Sequence, residues 1–487
     1  MRTWRTAARV RATLAGLIAG AVLALGGCGA PNTGIAPAEL PGGSRPGSSP
    51  ATAGPVAPRP VEGYGDPKVL AMVREVSTRL LTAAGEPATA WRITVLDTPD
   101  VNAYARPSRD ILLTRGLLAL LDDKAQLASV IGHEVGHVLA RHSDQRRQTR
   151  AATREAVLAV ANATGDVDLA RAVALVGLAR ERAYSREHEF EADRIGIRTM
   201  ADAGYDSDAA VATLERLRRA DQLEARRASR SVDAVDRPSG ILSSHPRTLD
   251  RVVAARDLAQ ARRGGRTERD AYLAAIDGML FGDRPDQGFV RGRRFEHPDI
   301  GVSFEVPPGY RLINTPQAVY AEGPDAAMMS FSCTRRQAAP VADLARGGLG
   351  AGTVGDDRSL TINGLQAATA AATRPSDKMT KRMLVIAFDP LTCGFTMDSP
   401  GAAAVDRTRE LLQAAQSTFR RLTAAERSAL RPQRLRVVIV RAGDTAESLA
   451  GAGGGDELAV AQFLTINGLE TGDPLSPGRR VKVVVQE

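Results

Sequence analysis

Aromatic residues make up only 4% of this 487-residue chain, and no run of basic residues has aromatics interleaved through it. Proteins that bind nucleic acid through base stacking need that combination, so a formal charge of +8 does not argue for such a partner. A mild attraction to anionic surfaces accounts for the charge more economically. Long apolar runs are missing as well. Ala12 to Leu25 is short of the ~20 residues that a bilayer-spanning helix needs. Ala152 to Leu178 is broken by Gly165, Asp166 and Asp168, and reads as two soluble helices. Histidine is rare at six and cysteine rarer at three, so the placement of each carries information.

Two of the six histidines stand in His133-Glu134-Val135-Gly136-His137. Lys124 to Leu139 has apolar residues at Leu127, Val130, Ile131, Val135 and Val138, the 3-and-4 spacing of a helix with a buried face. On such a helix His133 and His137 lie one turn apart on one side, where both rings can reach a single Zn²⁺ at about 2.0–2.1 Å. Glu134 between them is placed to take a proton from water at the metal. Two core histidines beside a helical glutamate are the plainer alternative.

A catalytic zinc needs a third protein ligand. Ser185 to Asp193 offers Glu189 and Asp193, four apart on one face of a second helix. Glu189 completes a His/His/Glu set, and Asp193 can accept the outer N–H of a ligating imidazole and fix its tautomer. Glu187, Glu191 and His188 fall on other faces and are read as non-ligands.

The HEVGH stretch, the downstream SREHEFEAD and Ser244-His245-Pro246 together resemble the gluzincin peptidases of family M48. Val101 to Ala105 and Gly116-Leu117-Leu118 fit the same pattern, and the resemblance covers roughly residues 63 to 260. It implies His133, His137 and Glu189 as ligands of one Zn²⁺ per chain, Glu134 as the base, and a role for His245 near the metal. His245 is open to three readings: a donor to the oxyanion, an occupant of the fourth metal position, or a surface residue in a turn. Without membrane spans around the site, the BepA-type periplasmic branch is favoured over the prenyl proteases. Asn102, Ala103 and Tyr104 are expected near an edge strand that binds substrate by strand addition, with an ordinary hairpin strand as the alternative.

The N-terminus reads as a targeting segment. Arg2, Arg5, Arg9 and Arg11 precede the apolar run, which ends in Leu25-Gly26-Gly27-Cys28 and resembles a bacterial lipobox. Cys28 is the expected acylated residue, with ordinary signal cleavage as the alternative. Gly29 after it favours the outer over the inner membrane. Losing those four arginines takes the mature chain from +8 to +4. Residues 29 to about 62 are rich in Pro, Gly, Ala and Ser and read as a tether. Cys333 and Cys393 lie in strand-like runs, and in an exported chain they either pair or remain two buried thiols.

The organisation expected is α+β and multidomain. Residues 1–27 form a lipoprotein signal peptide, 28–62 a tether, and 63–265 a mainly α-helical zincin-type peptidase domain with a small β-sheet. Residues 290–425 form an α+β domain resembling PsbP/Mog-like modules, with strands including Gly301 to Val306, Arg311 to Ala321, and Leu360 to Thr373 turning at Asn363-Gly364. Residues 434–487 form a β-α-α-β module resembling LysM, although Gly451 to Gly455 departs from that pattern. Asp233 to Ser244 is a loop placed to act as a lid. The reading is an exported, lipid-anchored zinc metalloendopeptidase acting on cell-envelope proteins, with no nucleic-acid partner. The alternative is a non-proteolytic chaperone or scaffold that binds peptidoglycan through residues 434–487.

Overall fold

The computed structural model describes residues 63–487, apart from 228–244, 246–248, 263, 350–352, 375–377, 402 and 452–456. The targeting segment, Cys28, the tether and the expected lid all lie outside the described residues. The structure is mixed α/β, with a helical N-terminal part and a β-rich region toward the C-terminus.

Helix α1 (Pro67–Ala83) starts where the Asp66 carboxylate accepts from the backbone N–H of Lys68 and Val69. It buries Val69, Met72, Val73, Val76, Leu80 and Leu81. Strands β1 (Arg92–Leu96), β2 (Ala103–Arg106) and β3 (Asp110–Thr114) form a sheet in the order β1-β3-β2, so β2 is an end strand. A short α2 (Arg115–Leu120) leads to α3 (Lys124–Leu139), capped by Asp123. Buried positions ring most of α3, as expected of a helix at the centre of a core.

Helix α4 (His142–Thr164) and helix α5 (Val167–Asp202) form a hairpin that turns at Gly165, φ 63°, with Asp166 capping α5. The break therefore falls where Gly165 and Asp166 predict it, but the expected second short helix is a correction. It does not stop near Leu178. It continues as one 36-residue helix into the segment carrying Glu189 and Asp193. No glycine or proline separates Leu178 from Glu189, so nothing in that stretch opposes propagation. Helices α6 (Asp208–Arg227), α7 (Leu249–Gln260) and α8 (Arg269–Ile276) complete the helical part.

After β4 (Leu280–Phe281) come β5 (Phe289–Arg291), β6 (Arg294–His297), β7 (Val302–Glu305), β8 (Arg311–Asn314), β9 (Val319–Glu322) and β10 (Met328–Arg335). Then follow α9 (Val341–Gly347), β11 (Thr353–Ile362), β12 (Leu365–Thr373), β13 (Thr380–Phe388), β14 (Leu391–Ser399), α10 (Ala404–Thr418), β15 (Arg420–Arg421) and α11 (Ala424–Ala429). A seven-stranded sheet runs β11-β12-β13-β14-β10-β9-β8, and a four-stranded one β15-β7-β6-β5. Phe295, Phe304, Phe331, Phe395 and Phe419 pack together between them. The single strand expected over Arg311 to Ala321 is instead the β8–β9 hairpin. Pro316 lacks the N–H that a continuous ladder needs, and Thr315 closes the turn onto Ala318. Cys333 on β10 and Cys393 on β14 stand opposite each other and are disulfide-bonded.

The C-terminal segment follows the order β16 (Gln433–Ile439), α12 (Ala446–Leu449), α13 (Glu457–Asn467), β17 (Arg480–Gln486). It is clasped to the helical part. Lys482, fully buried, donates to the backbone carbonyls of Ala119, Leu120 and Leu121 at 2.9, 3.2 and 2.6 Å. Arg216 of α6 donates to those of Leu120, Ile466 and Asn467. Among the described residues, no helix is long and apolar enough to cross a membrane.

Candidate active site

Helices α3 and α5 cross with backbones nearly touching. A Cβ added at Gly132, Gly136 or Gly196 would lie 3.0 Å or less from backbone atoms of the opposite helix. The glycine inside the HExxH pattern is thus a packing residue. The crossing turns Glu189 and Asp193 toward the face that carries His133 and His137.

The two imidazoles bring their Nε2 atoms to 3.0 Å. Glu189 places Oε2 3.4 Å from Nε2 of His133 and Oε1 3.4 Å from Nε2 of His137. His245 lies beside them, its Nδ1 3.2 Å from both Glu189 oxygens and 3.2 Å from Nε2 of His133. Ligand atoms of His133, His137, Glu189 and His245 all lie within 4.8 Å of one another. Asp193 takes the place read for it: its Oδ1 accepts from Nδ1–H of His133 at 2.9 Å.

Sequence reasoning missed two residues here. Arg251 on α7 is buried, donates through Nε and Nη2 to Asp193 at 2.7 and 2.9 Å, and sets Nη1 2.9 Å from Glu189. His142, at the start of α4, sits 2.9 Å from His137, nitrogen to nitrogen. Glu191, a non-ligand by its helix face, lies outside the donor group, half-exposed, and pairs with His142 at 3.2 Å. His188 is buried, bonded to Gln145 and stacked on His142, outside the four-residue donor group.

Electrostatically the donors are strongly coupled. Burial works to raise Glu189, yet hydrogen bonds from His133, His137 and His245 hold its carboxyl well below the ordinary range. Burial pushes His137 down, to about 3. At His133 burial acts the same way but is outweighed by Asp193 and Glu189, which raise it to about 10. Two imidazole Nε2 atoms face each other at 3.0 Å over one carboxylate, an arrangement that a shared cation relieves. Glu134 supplies a second sign. Both its oxygens are buried with no hydrogen-bond partner, although Nε2 of His245 stands 3.6 Å from one of them. A buried carboxylate aimed into a nest of nitrogens calls for a positive charge or a proton donor there. Two imidazoles and a carboxylate fit zinc, with His245 as a further nitrogen.

A cavity of about 50 Å³ opens beside Glu134 and His133, walled by Val130, Ile197, Leu214 and Leu217. Of the expected substrate-binding residues, Ala103 and Tyr104 lie on β2, which packs against α3. Asn102 directly precedes β2, is buried, and donates through Nδ2 to the Tyr104 hydroxyl at 2.6 Å. They are brought to the sheet's end strand but not into the donor cluster.

The family model of Peptidase family M48 matches residues 67–259. The chain is 32% identical over 222 residues to the Beta-barrel assembly-enhancing protease of Escherichia coli (strain K12), covering 43% of each chain. It is 35% identical over 130 residues to the Mitochondrial metalloendopeptidase OMA1 of Arabidopsis thaliana, covering 26% of each. The chain thus spans less than half the length of these relatives. The solution structure of a cyanobacterial PsbP from Synechocystis aligns with 26% of this chain and 91% of its own at 12% identity, with a TM-score of 0.22. With the matched segment coinciding with the crossed helices and their His/His/Glu donors, this chain carries a Peptidase family M48 domain.

Proposed function

We propose that the chain is a zinc-dependent metalloendopeptidase, and the observation that carries this is Glu134. Its two buried oxygens, without hydrogen-bond partners, lie beside three zinc-fitting donors. His133, His137 and Glu189 would hold the ion, which supplies Lewis acidity toward water and a peptide carbonyl. Glu134 takes the proton of the attacking water and returns it to the leaving amine. Asp193 and Arg251 keep His133 oriented with Nε2 inward. The end strand β2 offers backbone groups to an extended peptide, and the cavity by Glu134 suits a small apolar side chain. Zinc content and casein cleavage by the chain lacking residues 1–28 test this reading. Stoichiometric zinc without cleavage would sink it.

His245 is read as a fourth protein donor that fills the site at rest, because its Nδ1 sits among the ligand atoms. His245→Ala should therefore cleave casein severalfold faster. Slower cleavage would assign it to the oxyanion, and unchanged kinetics to neither role.

The proposed setting is an exported protein held at the envelope through acylated Cys28 and acting on envelope proteins; the Escherichia coli relative is named as a protease that enhances β-barrel assembly. Cys28→Ser should move the protein from the membrane to the soluble fraction, and retention would refute the anchor. Residues 290–425 are proposed as a PsbP/Mog-like accessory domain, and 434–487 as a LysM-like module on the strength of their β-α-α-β order. A peptidoglycan-binding scaffold without proteolysis has that β-α-α-β order in its favour, but it gives no reason for a buried, unbonded Glu134.

A further inference from the structure

His137 and His133 are treated alike by the HExxH pattern, but the structure backs them differently. Nδ1 of His133 meets a carboxylate, Asp193, itself gripped by Arg251. Nδ1 of His137 meets another imidazole. Helix α3 ends at Leu139, and the chain reverses through Ala140 and Arg141, which adopts φ 56°. The reversal folds His142 back under His137, five residues earlier, with Nδ1 to Nδ1 at 2.9 Å. His142 is fully buried, and its Nε2 lies 3.2 Å from Oε2 of Glu191.

Hydrogen positions along this chain of groups follow from its two ends. His137 turns Nε2 toward Glu189 and His133, so Nε2 carries the lone pair for a ligand and Nδ1 carries the hydrogen. His142 must then accept at Nδ1, which puts its own hydrogen on Nε2, facing the Glu191 carboxylate. Packing holds the ring in that plane. His188 stacks on it with centroids 4.1 Å apart and an interplanar angle of 18°. His188 is tied by Nε2 to Gln145 Oε1 at 2.8 Å, while Gln145 Nε2 donates to the Ala140 carbonyl at 2.9 Å, inside the reversal itself.

We propose that His142, backed by Glu191, is the positioning residue of His137, setting its tautomer and ring orientation for the metal as Asp193 and Arg251 do for His133. This rests on the zinc reading above. It adds that α5 serves the site three times: Glu189 as ligand, Asp193 behind one histidine, and Glu191 behind the other through His142. Partners in this position commonly contribute about 10–100-fold in metal affinity.

The test is zinc affinity, measured by competition with a chromogenic chelator on the chain lacking residues 1–28, with thermal unfolding of the metal-free protein as control. His142→Phe keeps the ring's bulk but cannot accept, and should bind zinc about 10–100-fold more weakly at little change in metal-free melting. His142→Asn, whose Oδ1 can stand where Nδ1 stood, should recover most of that loss. Glu191→Ala, changed at the half-exposed end, should show part of the loss without burdening the fold. Equal zinc affinity in wild type, His142→Phe and Glu191→Ala would overturn the inference, as would an Asn variant no better than Phe. A wild type that takes up no zinc would instead overturn the underlying metal assignment and this proposal with it.

Discussion

Glu134→Gln should keep the fold and its zinc while peptide hydrolysis falls by about 10²–10⁴-fold, the usual worth of a positioned proton acceptor. The amide matches the carboxylate in shape, and the side chain it replaces is buried without a hydrogen-bond partner, so folding loses no bond. What it loses is the ability to take a proton from water. Casein cleavage and bound zinc should be measured together on the same preparation. Hydrolysis within tenfold of wild type would refute the role of Glu134. His137→Ala gives the contrasting pattern, with cleavage and zinc lost together, since a tight site cannot survive on two ligands.

Arg251→Met should cost about 3–5 kcal/mol of metal-free stability, the price of removing one partner from a buried ionic cluster. Arg251 is 3% exposed and spans two buried carboxylates, Asp193 and Glu189. Methionine fills much of the volume but removes the guanidinium between the two buried carboxylates and leaves them to the His133 imidazole. Added zinc should restore part of the loss, because a cation at Glu189 replaces some of the missing charge. Thermal unfolding with and without zinc checks both statements. A variant melting like wild type in the metal-free state would show that the cluster does not depend on this guanidinium.

Most of the donor cluster was legible because helix periodicity is strict. His133 with His137, and Glu189 with Asp193, are each one turn apart, and the apolar spacing of α3 marks its buried face. His142 was not legible for the same reason. Five residues on along an uninterrupted helix, it would point well away from His137. The two meet only because Arg141 takes a left-handed conformation and reverses the chain, and no sequence feature there demands that. Arg251 belongs to a different helix, 58 residues beyond Asp193, and a buried arginine looks like a surface one until its partners are placed. In the β-rich region Asn363-Gly364 marks its own turn, with φ values of 46° and 81°, whereas the apolar residues on either side of Pro316 mimic one continuous strand. Helix α5 runs past its expected end because only Gly177 interrupts good helix formers between Val167 and Glu189, and one glycine costs too little to stop it.

Strand β4 lies in sequence before the β-rich region, yet it pairs with β16, which lies after it. Phe281 stands opposite Gln433, and Leu280 opposite Arg434. The chain therefore departs and returns at one place, about 5 Å apart across an antiparallel pair. Everything from 282 to 432 is a loop-out in topological terms, a cassette set into a body that closes without it. A short hairpin turn could join the two ends, so evolution or an engineer could exchange the insert while the crossed helices and the Lys482 clasp stay as they are.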